Sequence, residues 1–502
     1  MADLLSPSQL GTILVDAVSP NPLYQQIYEG FRQAILSGQL PVGMRLPATR
    51  ALAALWGISR STVVLAFEHL SAEGYLEARR GSGTFICSSL PEPLLNVRHP
   101  RDQTQRAATR RAEPAQLSAR GTQLWIHYQT KRKHVDLPVP FRPGVPAVGC
   151  FPTELWRRLS GRRWRQVTPE ALARIDPMGY PPLREALAVY LRAARGVRCE
   201  PEQVILVSSS QHAITLLSQI LLDPGDSVWI EDPGYPRAQA ALTAAGMALV
   251  PVPVDGEGLD LQAGQSLDAA ARLVYITPSH QYPLGVTMSL SRRLAVLEWA
   301  ATQKAWILED DYVSEYRYAG RPLTALQGLD TAGRVIYMGT FSKLFSPALR
   351  LSYLVIPPGL VDPFMAARSL IDRGPSFGDQ ATMADFIQEG YFSRHIRRMR
   401  TLYAERQEIL KTALQATLSE YLEVQPCDAG LHILGWLQKG MNDAPLTTYL
   451  AEQGIMAPAL SYFSMTQSGW SGLVLGFAGW DAPEIKQGVE KMARGIRCFA
   501  RL

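Results

Sequence analysis

A lysine directly after an apolar, β-rich run is the residue of this chain best suited to covalent chemistry. Lys343 closes the stretch Gly339-Thr340-Phe341-Ser342-Lys343, which follows the run Val335–Met338. A strand and a tight turn would hold its ammonium group in the interior. Burial there lowers the pKa of a lysine and lets the amine form an imine with an aldehyde. Lys343 is therefore a candidate nucleophile for a carbonyl group.

Two further polar side chains lie at the end of an earlier predicted strand. Asp310 and Tyr312 follow the apolar run Trp306–Leu308. Alternate residues of an extended chain point to the same face, so Asp310 and Tyr312 should lie together. Asp311 should point to the other face, where its carboxylate would stabilise the fold rather than bind a ligand. Asp310 could keep a ring nitrogen protonated, and the Tyr312 hydroxyl could bond a ring oxygen.

Residues that suit a phosphate follow another predicted strand. The stretch Ser208-Ser209-Ser210-Gln211 ends the run Val204–Val207 and opens a helix, whose free backbone N–H groups bind anions. The expected phosphate and ring contacts are Ser209, Ser210, Gln211, Ser342, Arg350 and, stacked on the ring, Tyr235. An amine, an acid, a partner for the 3-oxygen and a phosphate cup are what pyridoxal 5'-phosphate requires. The sequence therefore predicts this cofactor, held on Lys343 as a Schiff base.

A separate pattern near the beginning of the chain is typical of a winged helix-turn-helix. Helices are predicted over Pro22–Ser37, from a Thr49 cap to Gly57, and from a Ser59 cap through Arg60 to about Glu73. Two short strands, Tyr75–Ala78 and Thr84–Ile86, would form the wing.

In such a motif the second helix enters the major groove of DNA, with its first residues at the base edges. The expected contacts to bases or phosphates from this helix are Ser59, Arg60, Ser61 and Thr62, with Arg60 able to bind guanine through two hydrogen bonds. Contacts to the DNA backbone are expected from Arg45 and Arg50. Wing contacts are expected from Arg79, Arg80 and Gly83.

The chain divides by composition into three predicted parts. Residues 15–88 form the DNA-binding domain, residues 89–134 a mostly flexible linker with room for one helical piece, and residues 135–502 the cofactor-binding body. The linker has nine lysines and arginines against three acids, whereas residues 1–88 have six of each. In the body, short apolar runs alternate with helical patterns, which predicts an α/β fold with a mainly parallel, doubly wound sheet and a smaller C-terminal lobe.

Several classes of protein are disfavoured by composition. Apolar residues make up 47% of the chain, but no uninterrupted apolar run is long enough to span a membrane, and the N-terminus lacks the pattern of a secretion signal. The five cysteines are scattered and form neither a metal-binding spacing nor a disulfide framework, as expected in a reducing cytosol.

Both halves of the chain resemble known families. Residues 40–47, 52–53, 57–63 and 70–76 resemble the GntR-type DNA-binding domain, and the ordered stretches around Ser209, Tyr235, Asp310 and Lys343 resemble a fold type I aminotransferase. His280 and Gln281 occupy the region where aminotransferases have an Asn-Pro-Thr-Gly stretch, which adds His280 to the cofactor contacts. Together the halves resemble the MocR (GabR-like) family of transcription regulators. This resemblance implies a cytoplasmic bacterial, nucleoid-associated regulator that binds promoter double-stranded DNA, carries the cofactor as an aldimine on Lys343 and forms a head-to-tail homodimer.

One stretch departs from the family pattern. Leu460-Ser461-Tyr462-Phe463 has Tyr462 where related regulators have an arginine for the carboxylate of an effector. Arg237 is the best remaining anchor for an anion, so the effector contacts are predicted at Arg237 and Tyr462. The effector is an amine, an amino acid or the cofactor itself. Two alternatives stay open at this point, a working aminotransferase with an accessory DNA-binding domain and a repressor with an inactive cofactor fold.

Overall fold

The computed structural model describes residues 15–16, 19, 21–79, 82–90, 116–131, 139–174, 176–320, 323–425, 427–438, 440–466 and 469–501, with the backbone alone over 127–131. The chain divides into two compact units, Met1–Ala115 and Gln116–Leu502. This division falls inside the predicted linker. The predicted boundaries after residues 88 and 134 stay predictions, because residues 91–115 and 132–138 lie outside the described ranges.

The first unit is a small helical bundle with a β-hairpin. Its elements are α1 (Leu23–Leu36), α2 (Thr49–Trp56), α3 (Arg60–Ala72), β1 (Leu76–Arg79) and β2 (Gly83–Ile86). The apolar faces of the three helices meet around Phe31 and Phe67, whose rings pack edge to face at 5.3 Å. Ser59 caps α3 as predicted, its side chain accepting from the Ser61 N–H. The cap predicted at Thr49 is wrong, because Ala48 is the N-cap and Thr49 is already helical.

The core of the second unit is an eight-stranded sheet. Its strands, in chain order, are β3 (Val204–Val207), β4 (Ser227–Asp232), β5 (Ala248–Asp255), β6 (Gly258–Leu259), β7 (Leu273–Ile276), β8 (Trp306–Asp311), β9 (Val335–Thr340) and β10 (Ser352–Val355). Their order across the sheet is β3-β10-β9-β8-β7-β4-β5-β6. The five central neighbours from β9 to β5 are parallel, whereas β10 and β6 run antiparallel to their partners. The sheet is therefore mixed, with a parallel centre.

Helices cover this sheet and build a smaller lobe. They are α4 (Ala119–Lys131), α5 (Thr153–Gln166), α6 (Pro169–Ala173), α7 (Pro181–Arg195), α8 (Ser210–Leu221), α9 (Pro236–Ala244), α10 (Leu261–Leu267), α11 (Leu290–Gln303), α12 (Leu326–Leu329), α13 (Val361–Ile371), α14 (Phe377–Gln388), α15 (Tyr391–Leu418), α16 (Asp443–Glu452) and α17 (Ala482–Phe499). Helix α4 is the helical piece expected in the linker. A three-stranded antiparallel sheet of β11 (Leu422–Val424), β12 (His432–Leu437) and β13 (Gly472–Gly476) completes the lobe.

The strand ends that carry the candidate site differ from the prediction in length. Strand β8 continues to Asp311, and β9 continues to Thr340, because the ladder between them extends to the pair Asp311 and Gly339. Asp310 therefore lies within a strand rather than after one. Across the described ranges, the structure contains no helix with the length and apolarity required to cross a membrane.

Candidate functional site

Lys343 lies immediately beyond β9, with its amine turned into the body. Its Nζ donates a hydrogen bond of 2.8 Å to the carbonyl of Gly144. Burial, together with the positive charges of Arg237 and Arg142, lowers the pKa of Lys343 to about 8. Gly144 has φ +73°, and a Cβ at this position would lie 2.9 Å from Nζ, so a larger residue there would displace the amine. The structure thus holds a reactive amine beside a residue distant in sequence.

Asp310 is buried on β8 and faces the neighbouring strand. Tyr275 donates a hydrogen bond of 2.5 Å to Asp310 Oδ2, while Oδ1 has no partner among the described residues. Burial raises the pKa of Asp310 to about 7, and Tyr275 and Lys343 oppose this rise. One carboxylate oxygen is therefore fixed by the protein, and the other is free to accept a bond from a ligand.

Asp311 points away from Asp310, as the alternation of the strand predicted. Its carboxylate lies 2.7 Å from the guanidinium of Arg195 and accepts a bond of 2.7 Å from the Tyr337 hydroxyl. This buried ion pair ties β8 to α7 and β9. Asp311 has the contacts of a structural acid.

Tyr312, Tyr235 and Tyr282 form an aromatic wall near Asp310. The ring of Tyr282 packs edge to face against Tyr235 at 5.7 Å and Tyr312 at 5.9 Å. The Tyr312 hydroxyl is buried and, within the described part of the chain, has no hydrogen-bond partner. His280 lies 6.2 Å from the Tyr312 ring, and burial lowers its pKa to about 3, which keeps the imidazole neutral.

The predicted phosphate contacts lie at the beginning of α8 and after β9. Ser209 is the N-cap of α8 and accepts from the His212 N–H at 3.1 Å, and Ser210 begins the helix. Gln211 donates to the Tyr235 hydroxyl at 3.4 Å. Ser342 lies beside Lys343, and its N–H donates to Thr340 Oγ1 at 3.1 Å. Arg350 is exposed and ends a short 3-10 turn with φ +48°.

Arg237 and Tyr462 come together through contacts between two loops. The N–H of Gly234 donates to the Phe463 carbonyl at 2.9 Å, and Asp232 accepts from the Met465 N–H at 2.7 Å. The charge of Arg237 lowers the pKa of both Lys343 and Tyr462, although burial keeps the pKa of Tyr462 raised. Arg237 is therefore close enough to act electrostatically on both the Lys343 amine and the Tyr462 hydroxyl.

The residues predicted to touch DNA lie on the surface of the first unit. Arg60 is exposed at the first position of α3, next to the hydrogen-bonded hydroxyls of Ser59 and Ser61, and Thr62 is half-buried. Arg50 is exposed in the first turn of α2.

The remaining predicted DNA contacts lie at the wing. Arg45 approaches it so closely that a Cβ on Gly83 would lie 3.1 Å from the Arg45 Nε. Arg79 pairs with Glu77 and lies 4.7 Å over the Phe85 ring, which fixes its direction. Arg80 lies outside the described residues. The wing and the start of α3 thus present separate cationic groups.

Comparisons with known proteins agree with both halves. The family of bacterial regulatory proteins called the gntR family matches residues 23–86, and aminotransferase class I and II matches residues 163–492. The probable rhizopine catabolism regulatory protein MocR of Rhizobium meliloti is 40% identical over 96% of this chain and 95% of its own length. The chain belongs to the MocR family.

Other relatives support each half of this MocR-family chain. The pyridoxine biosynthesis transcriptional regulator PdxR of Corynebacterium glutamicum is 29% identical over 94% of this chain and 96% of its own length. A solved kynurenine aminotransferase of Pyrococcus horikoshii is 26% identical, with a TM-score of 0.67 over 79% of this chain and 98% of its own. The body therefore has the fold type I aminotransferase fold, and this fold implies pyridoxal 5'-phosphate.

The residues of the MocR-family body fit this cofactor. Asp310 Oδ1 and the Tyr312 hydroxyl are buried polar atoms without partners in the described structure, and such atoms are costly unless a ligand satisfies them. The amine of Lys343, the first turn of α8 and the Tyr235 ring are the groups that would supply the other contacts predicted for the cofactor.

Three neighbours of this site were not predicted from the sequence. Tyr275 lies on the strand beside Asp310, Tyr282 forms the centre of the aromatic wall, and Gly144 holds the lysine amine. Tyr282 stands in Tyr282-Pro283-Leu284-Gly285, and its position next to the predicted His280 and Gln281 was an available signal. Tyr275 and Gly144 have no such signal, because only the fold brings them to the site.

Proposed function

We propose that this MocR-family chain regulates transcription by binding promoter DNA through its GntR-type domain, while its body senses an amine, an amino acid or the cofactor through Lys343. The observation that carries this proposal is the buried amine of Lys343 beside the unpartnered Asp310 Oδ1, in a chain that also presents Arg60 on an exposed helix. A chain that only catalysed a reaction would not need an exposed arginine at the start of a DNA-recognition helix.

The side chains of the body have separate roles in this proposal. Pyridoxal 5'-phosphate, when bound, supplies an aldehyde that condenses with primary amines. Lys343 would provide the resident amine, and Asp310, held by Tyr275, would keep a proton on the ring nitrogen. Tyr312 would bond the ring oxygen, Tyr235 would contact the ring, and His280 lies beside Tyr312 in this wall. The phosphate contacts are Ser209, Ser210, Gln211, Ser342 and Arg350.

The DNA-binding unit divides its contacts between bases and backbone. We assign base reading to Arg60, because a guanidinium at the first turn of a recognition helix can bind guanine with two parallel hydrogen bonds. The other contacts position the domain on the duplex, and they are Arg45, Arg50, Ser59, Ser61, Thr62, Arg79 and Gly83.

The proposal includes a head-to-tail homodimer acting at the nucleoid in the bacterial cytoplasm. Val148 and Trp164 are both 51% exposed on the body, and self-association would remove such apolar surface from water. The free cysteines among the described residues suit a reducing compartment. Sedimentation of the cofactor-loaded protein tests the dimer, and a monomer at micromolar concentration would contradict it.

The regulator proposal is tested by selecting DNA from a random pool with the full-length, cofactor-loaded protein. We expect one enriched sequence, and we expect its affinity for the protein to change when an amine, an amino acid or extra cofactor is added. Fluorescence anisotropy measures this change. Failure to enrich any sequence, together with fast and complete conversion of an amino acid, would favour the aminotransferase alternative.

A gain of function is expected for Tyr462→Arg. At the cofactor, the wild type should bind α-amino acids poorly, because Tyr462 has no positive charge to hold a carboxylate. A charged hydrogen bond is worth roughly 1.5–3 kcal/mol, so the variant should bind them about ten- to a hundredfold more tightly. Spectral titration of the cofactor with a panel of amino acids measures this gain. Tyr421→Arg, in the small lobe, is the matched control, and equal affinity in Tyr462→Arg and the wild type would refute the role of this position.

A further inference from the structure

A small cavity lies beside His280. Its volume is about 130 Å3, and its lining includes His280, Thr287, Arg317, Cys427 and Asp428. It lies between the loop that follows β7 and a short antiparallel bridge joining Arg317 to Ala429, and it is partly open to solvent. Lys343 is not among the residues that line the cavity.

The polar groups of this cavity are not satisfied by the protein. The buried His280 Nε2 and Arg317 Nε have no hydrogen-bond partner in the described structure. No ion pair or side-chain hydrogen bond joins Arg317 to any described residue, although Asp428 lines the same cavity. Buried polar atoms of native proteins are rarely left without partners, so their presence points to a ligand.

The charges in the cavity define the ligand. Arg317 carries a guanidinium, a group that binds carboxylates with two parallel hydrogen bonds. His280 and Cys427 are neutral at pH 7, because burial lowers the pKa of the imidazole to about 3 and raises the pKa of the thiol to about 11. Asp428 is exposed and supplies the one carboxylate of the lining. One fixed positive charge and one negative charge are complementary to a zwitterion.

The volume is sufficient for a small zwitterion. A cavity holds one water-sized group for about every 10–15 Å3 of space open to the centre of that group, so this cavity has room for several. Glycine and alanine therefore fit within it. We propose that the cavity binds a small zwitterionic amino acid, with its carboxylate on Arg317 and its ammonium group on Asp428. This inference is independent of the proposed regulation, because binding is measured without DNA.

The test is ligand-observed NMR on the full-length, cofactor-loaded protein with glycine, alanine and acetate. We expect glycine and alanine to bind more tightly than acetate, because acetate has no ammonium group for Asp428. Arg317→Gln should weaken glycine binding about ten- to a hundredfold, the range of a charged hydrogen bond. Asp428→Asn, at an exposed position that should not disturb folding, should weaken glycine binding and leave acetate binding unchanged.

Two controls separate this site from the rest of the molecule. Arg198→Gln, which alters an exposed arginine outside the cavity, should bind glycine as the wild type does. Lys343→Ala should also retain glycine binding, because the cavity does not include that amine. The proposal is overturned if glycine and alanine do not bind, if Arg317→Gln and Asp428→Asn bind them unchanged, or if Lys343→Ala abolishes binding.

Discussion

Lys343→Ala should abolish the visible absorbance band of the cofactor-loaded protein while leaving the fold intact. The band requires a covalent bond between the cofactor and an amine, and Lys343 Nζ lies in a site whose other polar groups suit the cofactor. The substitution removes the side chain beyond Cβ, whose amine bonds the Gly144 carbonyl, and leaves the strands and helices around it unchanged, so thermal unfolding should still be cooperative. Absorbance spectroscopy after loading with pyridoxal 5'-phosphate measures the loss.

Lys411→Ala is the matched control for this experiment, since Lys411 is exposed and pairs only with Glu408 among the described residues. It should keep the band. A Lys343→Ala protein that retained the band, with borohydride reduction labelling another lysine, would show that the assignment of the nucleophile is wrong.

The rate of cofactor loading should rise with pH through about pH 8. The neutral amine is the nucleophile, and burial with the nearby arginines lowers the pKa of Lys343 to about 8. The neutral fraction therefore increases as pH passes this value, well below the range of an exposed lysine. Stopped-flow absorbance of the apoprotein mixed with cofactor between pH 6 and about 10 measures the profile. An inflection near the pKa of an ordinary lysine would contradict the burial of this amine.

Arg60→Ala should weaken binding to the selected DNA by about 1–3 kcal/mol and relax specificity at one base pair. Arg60 is exposed at the first position of α3, where a recognition helix meets base edges. Anisotropy titrations with the selected sequence, its single-base variants and random DNA measure both effects.

Arg50→Ala is the comparison for Arg60, because we assign Arg50 to the DNA backbone. It should weaken binding to all sequences alike and lower the salt dependence of binding. If Arg60→Ala lost the same affinity for selected and for random DNA, Arg60 would not contact a base specifically.

Local patterns in the sequence predicted much of the site. The alternation along Asp310, Asp311 and Tyr312 placed the first and the second of these on opposite sides of β8, because side chains of a strand alternate regardless of the surrounding fold. The predicted N-cap at Ser59 also depends on near neighbours in the chain. Where the local signal was ambiguous, the prediction failed, as at Thr49. Strand β5 was not predicted because Pro251 and Pro253 interrupt its pattern, and prolines occur mainly near sheet edges.

The sequence by itself determined the class of this protein, since motifs for DNA recognition and for the cofactor lie in continuous stretches around Arg60 and Lys343. Only the tertiary structure showed that Gly144 receives the lysine amine, that Tyr275 holds Asp310, and that Arg317 and Asp428 line one cavity. These contacts join residues far apart in the chain, so no local periodicity encodes them. Parallel strands place Tyr275 beside Asp310, and loops bring the other residues together. Burial then shifts the pKa values of Lys343 and Asp310.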